Sequence, residues 1–225
     1  MKVTWIGHSC FKLEKDGYSI VIDPYEDGSI PGLEPVREKA NEVIKSHDHF
    51  DHNALNTVEI IEGGESPFEV TSFETYHDEE HGAKRGKTLV HIFKTDEYTV
   101  AHLGDLGCEL TDEQMAMLYQ VDVLLIPVGG IYTLDAAQAA QLTVDLDAKW
   151  TIPMHYRSQE SEFGLPELGT VYDYSLRLHD VWVNSISTLE LNDNYAAKVV
   201  VLQPQNMSKK FLSIGELEKL SYCKK

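Results

Sequence analysis

Three imidazoles and two carboxylates crowd six consecutive positions in Ser46-His47-Asp48-His49-Phe50-Asp51-His52. Residues 40–45, which precede them, have an apolar centre and no glycine or proline, and this pattern predicts a short strand running into the cluster. Residues two apart on an extended chain point to the same face. His47 and His49 are therefore expected to converge on one point.

Asp51 and His52 are adjacent, so no strand can direct both side chains to that same point. A turn after Phe50 would present the two together at a second point a few ångströms away, about the distance that separates paired metal ions. The spacing therefore predicts two metal ions side by side. The alternative is a solvated, charge-rich loop whose histidines came together by chance.

The donor types narrow the choice of metal. Imidazole and carboxylate are favoured by zinc, manganese and iron, whereas magnesium and calcium are bound almost entirely by oxygen. The three cysteines, Cys10, Cys108 and Cys223, are far apart and form no CxxC pair, so a cysteine-rich structural zinc site is excluded. Their odd number and wide spacing are typical of reduced thiols, which predicts a cytoplasmic protein.

The composition predicts one globular domain over residues 1–225, since 42% of the positions are hydrophobic and can bury a substantial core. Nineteen basic against 37 acidic residues give a net charge of −18, which repels nucleic acid and anionic membranes. Residues 1–11 do not resemble a signal peptide, and no window has the length of a membrane span. The expected partner is a small-molecule substrate, and the sequence leaves a homo-oligomer open.

Residue patterns predict strands at 2–6, 10–14, 18–23, 68–76, 88–93, 98–103, 121–128, 150–154, 187–191 and 198–202. Asp16-Gly17 predicts a hairpin turn between the second and third strands. Helices are predicted at 53–61, at 112–119 with a Thr111/Gln114 capping box, at 134–146 with Thr133 as cap, and at 214–220. Hairpins at the start and alternating strands and helices in the middle predict two sheets with helices outside.

Three of the later strands each lead to a residue that can bind a metal. His77 follows the strand at 68–76, Asp105 follows the strand at 98–103, and His155 follows the strand at 150–154. Scaffolds of the α/β class place their sites on loops at the ends of strands, along one edge of a sheet. These three residues are therefore expected to join the histidine cluster.

The pattern His47-x-His49-x-Asp51-His52, followed in order by His77, Asp105 and His155, resembles the metallo-β-lactamase superfamily over about residues 2–202. The resemblance implies an α/β fold, a four-layer αββα sandwich, with a binuclear site at one edge. It implies that His47, His49 and His77 hold one metal, that Asp51, His52 and His155 hold the other, and that Asp105 bridges the two. Residues 5–11 and 21–24 are similar to the small stand-alone hydrolases that include ascorbate-6-phosphate lactonase-like proteins.

Two adjacent cations lower the pKa of water and polarise a carbonyl or phosphoryl oxygen. The resemblance therefore implies a metal-dependent hydrolase that attacks an ester, lactone, amide or phosphodiester bond of a small substrate. Zinc is the expected metal, with manganese and iron as alternatives. Asp51 is expected to orient the attacking water besides binding metal. His8, in a Gly-His-Ser turn, is expected to donate a hydrogen bond to the substrate or to a ligand, and a turn histidine without a role is its alternative.

Three basic residues follow ligands closely in sequence: Lys84, Arg85 and Arg157. We expect them to bind a carboxylate or phosphate of the substrate, and simple solvated charge is the alternative.

The segment His77-Asp78-Glu79-Glu80-His81 has two histidines four apart, but the zincin signature needs glutamate directly after the first. His77 is therefore predicted as the ligand rather than His81. His102 is predicted to point away from the metal or to support a metal ligand without binding the metal itself.

Two other function classes stay open. The first is an iron-dependent oxidoreductase of the same fold, similar to the persulfide dioxygenases; the diiron reductases carry glutamate where His49 stands here. The second is a metal-dependent nuclease or phosphodiesterase, whose relatives have an extra domain or a basic arm. The charge of −18 argues against the second class.

Overall fold

The computed structural model describes residues 1–158, 162–191 and 197–208. In chain order its strands are β1 (Lys2–Gly7), β2 (Cys10–Lys15), β3 (Tyr18–Ile22), β4 (Lys39–Ala40), β5 (Glu42–Ile44), β6 (Glu59–Ile60), β7 (Glu69–Tyr76), β8 (Lys87–Lys94), β9 (Thr99–His102), β10 (Val123–Pro127), β11 (Trp150–Met154), β12 (Val181–Val183), β13 (Thr188–Glu190) and β14 (Val199–Val201). The helices are α1 (Asp112–Leu118), α2 (Ala136–Leu146) and α3 (Val171–Ser175).

These strands form two main sheets and a two-stranded ribbon of β4 and β6. The strand order is β13-β1-β2-β3-β5 in one sheet and β12-β14-β11-β10-β9-β8-β7 in the other. One hydrophobic core contains buried side chains from both sheets, among them Trp5, Phe11, Phe93 and Leu125. The fold is the predicted αββα sandwich, and the described α-helices all connect strands of the seven-stranded sheet.

The β2–β3 hairpin is confirmed at its turn. Asp16 and Gly17 both have positive φ, of 52° and 84°, between the paired residues Lys15 and Tyr18. Positive φ at both central residues is what a two-residue turn needs to match the right-handed twist of its strands. The local sequence therefore sets the register of the hairpin.

Strand direction explains why three of the predicted ligands meet at one edge of the sheet. β9, β10 and β11 are mutually parallel, and β7 is antiparallel to β8, which is antiparallel to β9. Two reversals restore the direction, so β7 points the same way as β9 and β11. The residues after these three strands, His77, Asp105 and His155, therefore lie along the same edge of the sheet.

Two element predictions were wrong. Residues 53–61 form a 3₁₀ turn at Leu55–Thr57 followed by β6, not a helix, because the main chain of Glu59 and Ile61 donates to carbonyl groups across the ribbon. Helix α2 is capped by Asp135 rather than Thr133. Thr133 is buried in the preceding loop, where its hydroxyl donates to the Leu134 carbonyl. The helix predicted at 214–220 lies outside the described residues.

Within the described part of the chain, none of the helices combines the length and the apolar character that crossing a bilayer requires. The longest of them, α2, has 11 residues.

The Asp135→Ala variant is expected to lower the free energy of unfolding by about 1 kcal/mol. The Asp135 carboxylate accepts hydrogen bonds from the main-chain N–H groups of Ala137 and Gln138, both at 2.8 Å, and alanine leaves both without this acceptor. Urea denaturation followed by circular dichroism measures the change. Asp135→Asn keeps an acceptor oxygen and should lose less, so equal losses in the two variants would contradict the assigned cap.

Candidate metal centre

The Asp105 carboxylate lies at the centre of a ring of imidazoles. Its Oδ2 atom is 3.0 Å from Nε2 of His77, 3.2 Å from Nε2 of His52 and 3.3 Å from Nε2 of His155. Nε2 of His47 is 3.8 Å from the same oxygen. One carboxylate oxygen thus faces four ring nitrogens that come from three separate segments of the chain.

The ligand atoms form overlapping groups, in each of which all atoms lie within 4.8 Å of one another. His47, His49 and His77 form one group, as the resemblance implies. A second group contains Asp51, His52 and His155, and the structure adds His8 to it. Asp105 shares a third group with His47 and His52, between the first two. The structure therefore brings all seven predicted ligands together, and their ligation of metal stays a prediction.

Unpaired buried atoms show that these residues fit a metal. Nε2 of His52, Nε2 of His155 and Oδ1 of Asp105 are buried and have no hydrogen-bond partner. A buried polar group without a partner costs free energy, and such groups are rare in native proteins. Bound cations would satisfy these atoms, and a set of imidazoles and carboxylates suits zinc, manganese or iron.

Hydrogen bonds at Nδ1, the ring nitrogen that faces away from the centre, fix the orientation of His52 and His77. Nδ1 of His52 donates to Asp23 Oδ2 at 2.8 Å, and Nδ1 of His77 donates to the Tyr132 carbonyl at 2.6 Å. Each of these bonds holds the proton on Nδ1 and leaves Nε2 free to bind a metal, which is the usual role of outer partners in histidine sites. The protein thus selects the tautomer that a ligand needs.

Asp23 is the functional residue that sequence reasoning missed. It is fully buried and also accepts from the main-chain N–H of Ser46 at 2.5 Å and from the Ser46 hydroxyl at 2.6 Å. Burial opposes ionisation, but His52 beside it lowers the pKa of Asp23 to about 2. No local sequence pattern pointed to this contact, because Asp23 and His52 are 29 positions apart and meet only through the parallel pairing of β3 with β5.

Burial and neighbouring charges shift the pKa values of the imidazoles in both directions. Burial opposes protonation of His52 and His77, but the Asp105 carboxylate beside them raises the pKa of both. Burial and the neighbouring His52 lower the pKa of His47 to about 3, and burial and His155 lower the pKa of His8 to about 4. Burial opposes ionisation of Asp51 too, but His52 and the hydrogen bond with His8 hold its pKa below the ordinary value. Neutral imidazole and ionised carboxylate are the forms that bind metals.

His8 joins β1 to the second group of ligands. Its Nε2 lies 3.1 Å from Asp51 Oδ2. Its carbonyl accepts from Trp5 Nε1 at 2.9 Å and from the main-chain N–H of His155 at 3.2 Å. This is the predicted contact with a ligand, and the catalytic role of His8 stays a prediction.

Three residues of the site have a left-handed backbone although none is glycine. His8, Asp23 and His155 have φ of 53°, 49° and 52°. Such conformations cost free energy in L-residues and are concentrated at functional sites. At each position the chain turns sharply, directly after a strand.

The two remaining histidines considered in the sequence, His81 and His102, have different surroundings. His81 is exposed beside the Tyr76 ring and belongs to none of the ligand groups found among the described residues. Nε2 of His102 donates to the Ser9 carbonyl at 2.8 Å, and its Nδ1 accepts from the Gly104 main chain at 3.1 Å. His102 therefore supports the loop that carries Asp105 and does not point into the site.

A cavity of about 310 Å³ opens over five of the seven predicted ligands: His49, Asp51, His77, Asp105 and His155. Besides them it is lined by Phe50, Arg85, Tyr132, Leu165 and Glu167. Of the three predicted anion-binding residues, only Arg85 lies on this wall. Lys84 pairs with Glu80 on the surface, and Arg157 Nε donates to the Leu168 carbonyl at 2.5 Å. The structure therefore gives Lys84 and Arg157 contacts away from the cavity lining, and their binding of an anion stays a prediction.

A model of the β-lactamase superfamily domain matches residues 2–155. The chain belongs to the metallo-β-lactamase superfamily. Among its superfamily relatives is a UPF0173 metal-dependent hydrolase of Pyrobaculum islandicum, 30% identical over 191 residues, which cover 70% of this chain and 85% of the relative. A similar hydrolase of Pyrobaculum neutrophilum is 29% identical over 193 residues, with the same coverage.

Two solved structures have a similar fold. A Thermotoga maritima protein assigned to the Zn-dependent hydrolases of the metallo-β-lactamase superfamily is 32% identical, with a TM-score of 0.69, over 89% of this chain and 97% of that one. A structure from Parabacteroides distasonis is 19% identical, with a TM-score of 0.59, over 89% of this chain and 93% of that one. The second likeness supports the fold alone.

Proposed function

We propose that this metal-dependent hydrolase uses a binuclear centre against an ester, lactone, amide or phosphodiester bond of a small substrate in the cytoplasm. The observation that carries the proposal is the position of Asp105 Oδ2, within 3.8 Å of ring nitrogens from both ligand groups. A carboxylate placed between two sets of imidazoles suits a bridging ligand. We propose zinc as the metal, with manganese and iron as alternatives.

Bound cations would supply a water of lowered pKa and a Lewis acid for the substrate oxygen. The chain's own residues do the positioning. Asp51 lines the cavity while His8 holds one of its oxygens at 3.1 Å, so its carboxylate can orient the attacking water. His49 and His77 line the same cavity, so a substrate there lies against both ligand groups. The cavity volume of about 310 Å³ suits a small molecule.

Dialysis against a chelator is expected to abolish hydrolysis and to lower the melting temperature, because metal binding is coupled to the folded state. Elemental analysis of protein purified without added metal should find two equivalents of a transition metal, and adding two equivalents of zinc should restore both properties. A saturated sample holding one metal would contradict the binuclear centre. Iron bound without any hydrolysis would favour the oxidoreductase instead.

The substrate class is tested by screening the metal-loaded protein against lactones, thioesters, β-lactams and phosphodiesters. His49→Ala, purified in the same way, is the control for contaminating activity, because it removes one ligand of the first group. We expect turnover of at least one class in the wild-type protein and none in the variant. Equal rates in the two proteins would assign the activity to a contaminant.

A further inference from the structure

One wall of the cavity contains a basic residue, Arg85, and an acidic residue, Glu167, with the ring of Tyr132 between them. The Arg85 guanidinium carbon lies 5.1 Å from the centre of the Tyr132 ring, and the Tyr132 hydroxyl donates to Glu167 Oε1 at 2.8 Å. All three residues line the cavity that is also lined by predicted metal ligands such as Asp51 and His77. The wall therefore offers five N–H donors at one place and a carboxylate at another.

Among the described residues Arg85 has no acidic partner, although Glu167 lines the same cavity. In the described ranges 1–158, 162–191 and 197–208, no carboxylate lies within the 4.0 Å that defines an ion pair with its guanidinium. Nearby lysines do pair: Lys84 with Glu80, and Lys87 with Glu74. In a chain of net charge −18, a half-buried guanidinium without a carboxylate is available for an anion from outside.

The loop before Arg85 is built to hold it in place. The Asp78 carboxylate, directly after the ligand His77, accepts main-chain hydrogen bonds from Glu80, Gly82, Lys84 and Arg85 at 2.8–3.1 Å. Burial opposes ionisation of Asp78, but these donors stabilise its carboxylate and lower its pKa. A guanidinium on a fixed loop loses little further conformational freedom when it binds a ligand.

Tyr132 connects this wall to the metal centre. Its carbonyl accepts the Nδ1 proton of His77, while its ring contacts Arg85 and its hydroxyl contacts Glu167. The neighbouring Ile131 has φ of 59°, a strained conformation for a β-branched residue. One residue thus fixes both the tautomer of a ligand and the spacing of two charged groups.

We propose that Arg85, Tyr132 and Glu167 select small substrates that carry a carboxylate or phosphate, bound by Arg85, together with an amino or hydroxyl group, bound by Glu167. The proposal rests on the proposed hydrolase function and narrows its substrate class. Arg85 supplies paired donors for a planar or tetrahedral anion. Glu167 keeps acceptor capacity beyond the one bond from Tyr132. The scissile bond would then lie toward Asp51, His49 and His77, which line the same cavity.

The test compares matched esters with the metal-loaded protein. The para-nitrophenyl monoester of succinic acid carries a free carboxylate, and its methyl-capped counterpart is neutral. We expect kcat/KM to favour the anionic ester by roughly 10-fold or more, the contribution of a charge-assisted contact. In Arg85→Gln this ratio should fall to near one, through KM rather than kcat. Arg85→Lys should recover part of it. Lys87→Gln, which removes a surface charge two positions away, should keep the wild-type ratio.

Glu167→Gln is tested on the amino-substituted version of the same monoester. We expect the amino group to lower KM in the wild-type protein and not in this variant. If Glu167→Gln has the same KM for the amino-substituted ester as the wild-type protein, Glu167 does not bind the amino group.

Calorimetric titration with succinate and with methyl phosphate gives a readout without turnover. Arg85→Gln should weaken binding of at least one of them by roughly 10-fold, and the tighter of the two identifies the anion as carboxylate or phosphate. If neither ester is hydrolysed but succinate or methyl phosphate still binds through Arg85, these esters are not substrates. The role of Arg85 in binding an anion would nevertheless be supported. Equal binding of both anions by wild type and Arg85→Gln would overturn the inference even if hydrolysis is found.

Discussion

Asp105→Asn is expected to abolish hydrolysis and to leave the protein unable to hold two metals. Asparagine preserves the shape of the side chain but removes the negative charge that faces four ring nitrogens at 3.0–3.8 Å. A neutral amide cannot bridge two cations. Metal ions contribute several kcal/mol of transition-state stabilisation, and 1.36 kcal/mol corresponds to tenfold in rate, so the loss in kcat/KM should be on the order of 1000-fold.

Elemental analysis and steady-state kinetics measure the two effects separately. Asp48→Asn is the matched control, because Asp48 lies in the same segment but is exposed and pairs only with Lys45 among the described residues. The control should keep its metals and its rate. Two metals bound by Asp105→Asn at wild-type affinity would show that Asp105 does not bridge.

Asp23→Asn is expected to weaken one metal position selectively, although Asp23 belongs to none of the three ligand groups. The amide nitrogen would face a donor, either the Nδ1 proton of His52 or one of the Ser46 groups, which now donate at 2.5–2.8 Å. If the amide nitrogen takes the Oδ2 position, His52 loses the acceptor that fixes its tautomer; if it takes the Oδ1 position, it faces the main-chain N–H of Ser46 and the network that orients the side chain is weakened. Losing an outer partner of this kind costs about 10- to 100-fold in metal affinity. The loss should fall on the position formed by Asp51, His52 and His155.

The same variant should lower the free energy of unfolding by about 3 kcal/mol, because it breaks a buried hydrogen-bonded charge network. Asparagine tolerates the left-handed φ of 49° at this position, so backbone strain does not contribute to the loss. Metal titration followed by calorimetry resolves the two positions, and urea denaturation gives the stability. Asp27→Asn, on the same loop and paired with Arg37 at the surface, should change neither. Equal weakening of both metal positions would contradict the assigned role.

The two sheets divide the work of building the centre. The five-stranded sheet supplies His8 after β1, Asp23 after β3 and residues 46–52 after β5, while the seven-stranded sheet supplies the three later ligands. Hydrogen bonds such as that from the Leu89 main chain to the Ser46 carbonyl, at 3.0 Å, join the two near the centre. Loosening the packing between the sheets would therefore move His77 and His155 away from the other members of their groups.

The sequence by itself predicted the seven side chains that the structure brings together, the strand ends that carry three of them and the hairpin at Asp16-Gly17. The hairpin and the strand ends depend on local properties, namely strand-forming residue patterns and the φ that a turn requires. Such properties are readable over a few residues. The capping box at Thr111 and Gln114 was correctly predicted for the same reason. His47 and His49 do converge, but they lie on bends after β5 rather than on a strand, so the expected period of two is not the reason for their convergence.

Only the tertiary structure decided the rest. The β4–β6 ribbon replaced a predicted helix because main-chain partners about 20 residues apart met. Asp23 became the support of His52 across 29 positions, and of the three predicted cations Arg85 alone reached the cavity, beside Tyr132. These outcomes depend on where distant loops lie when the two sheets close on each other, and no local pattern carries that information.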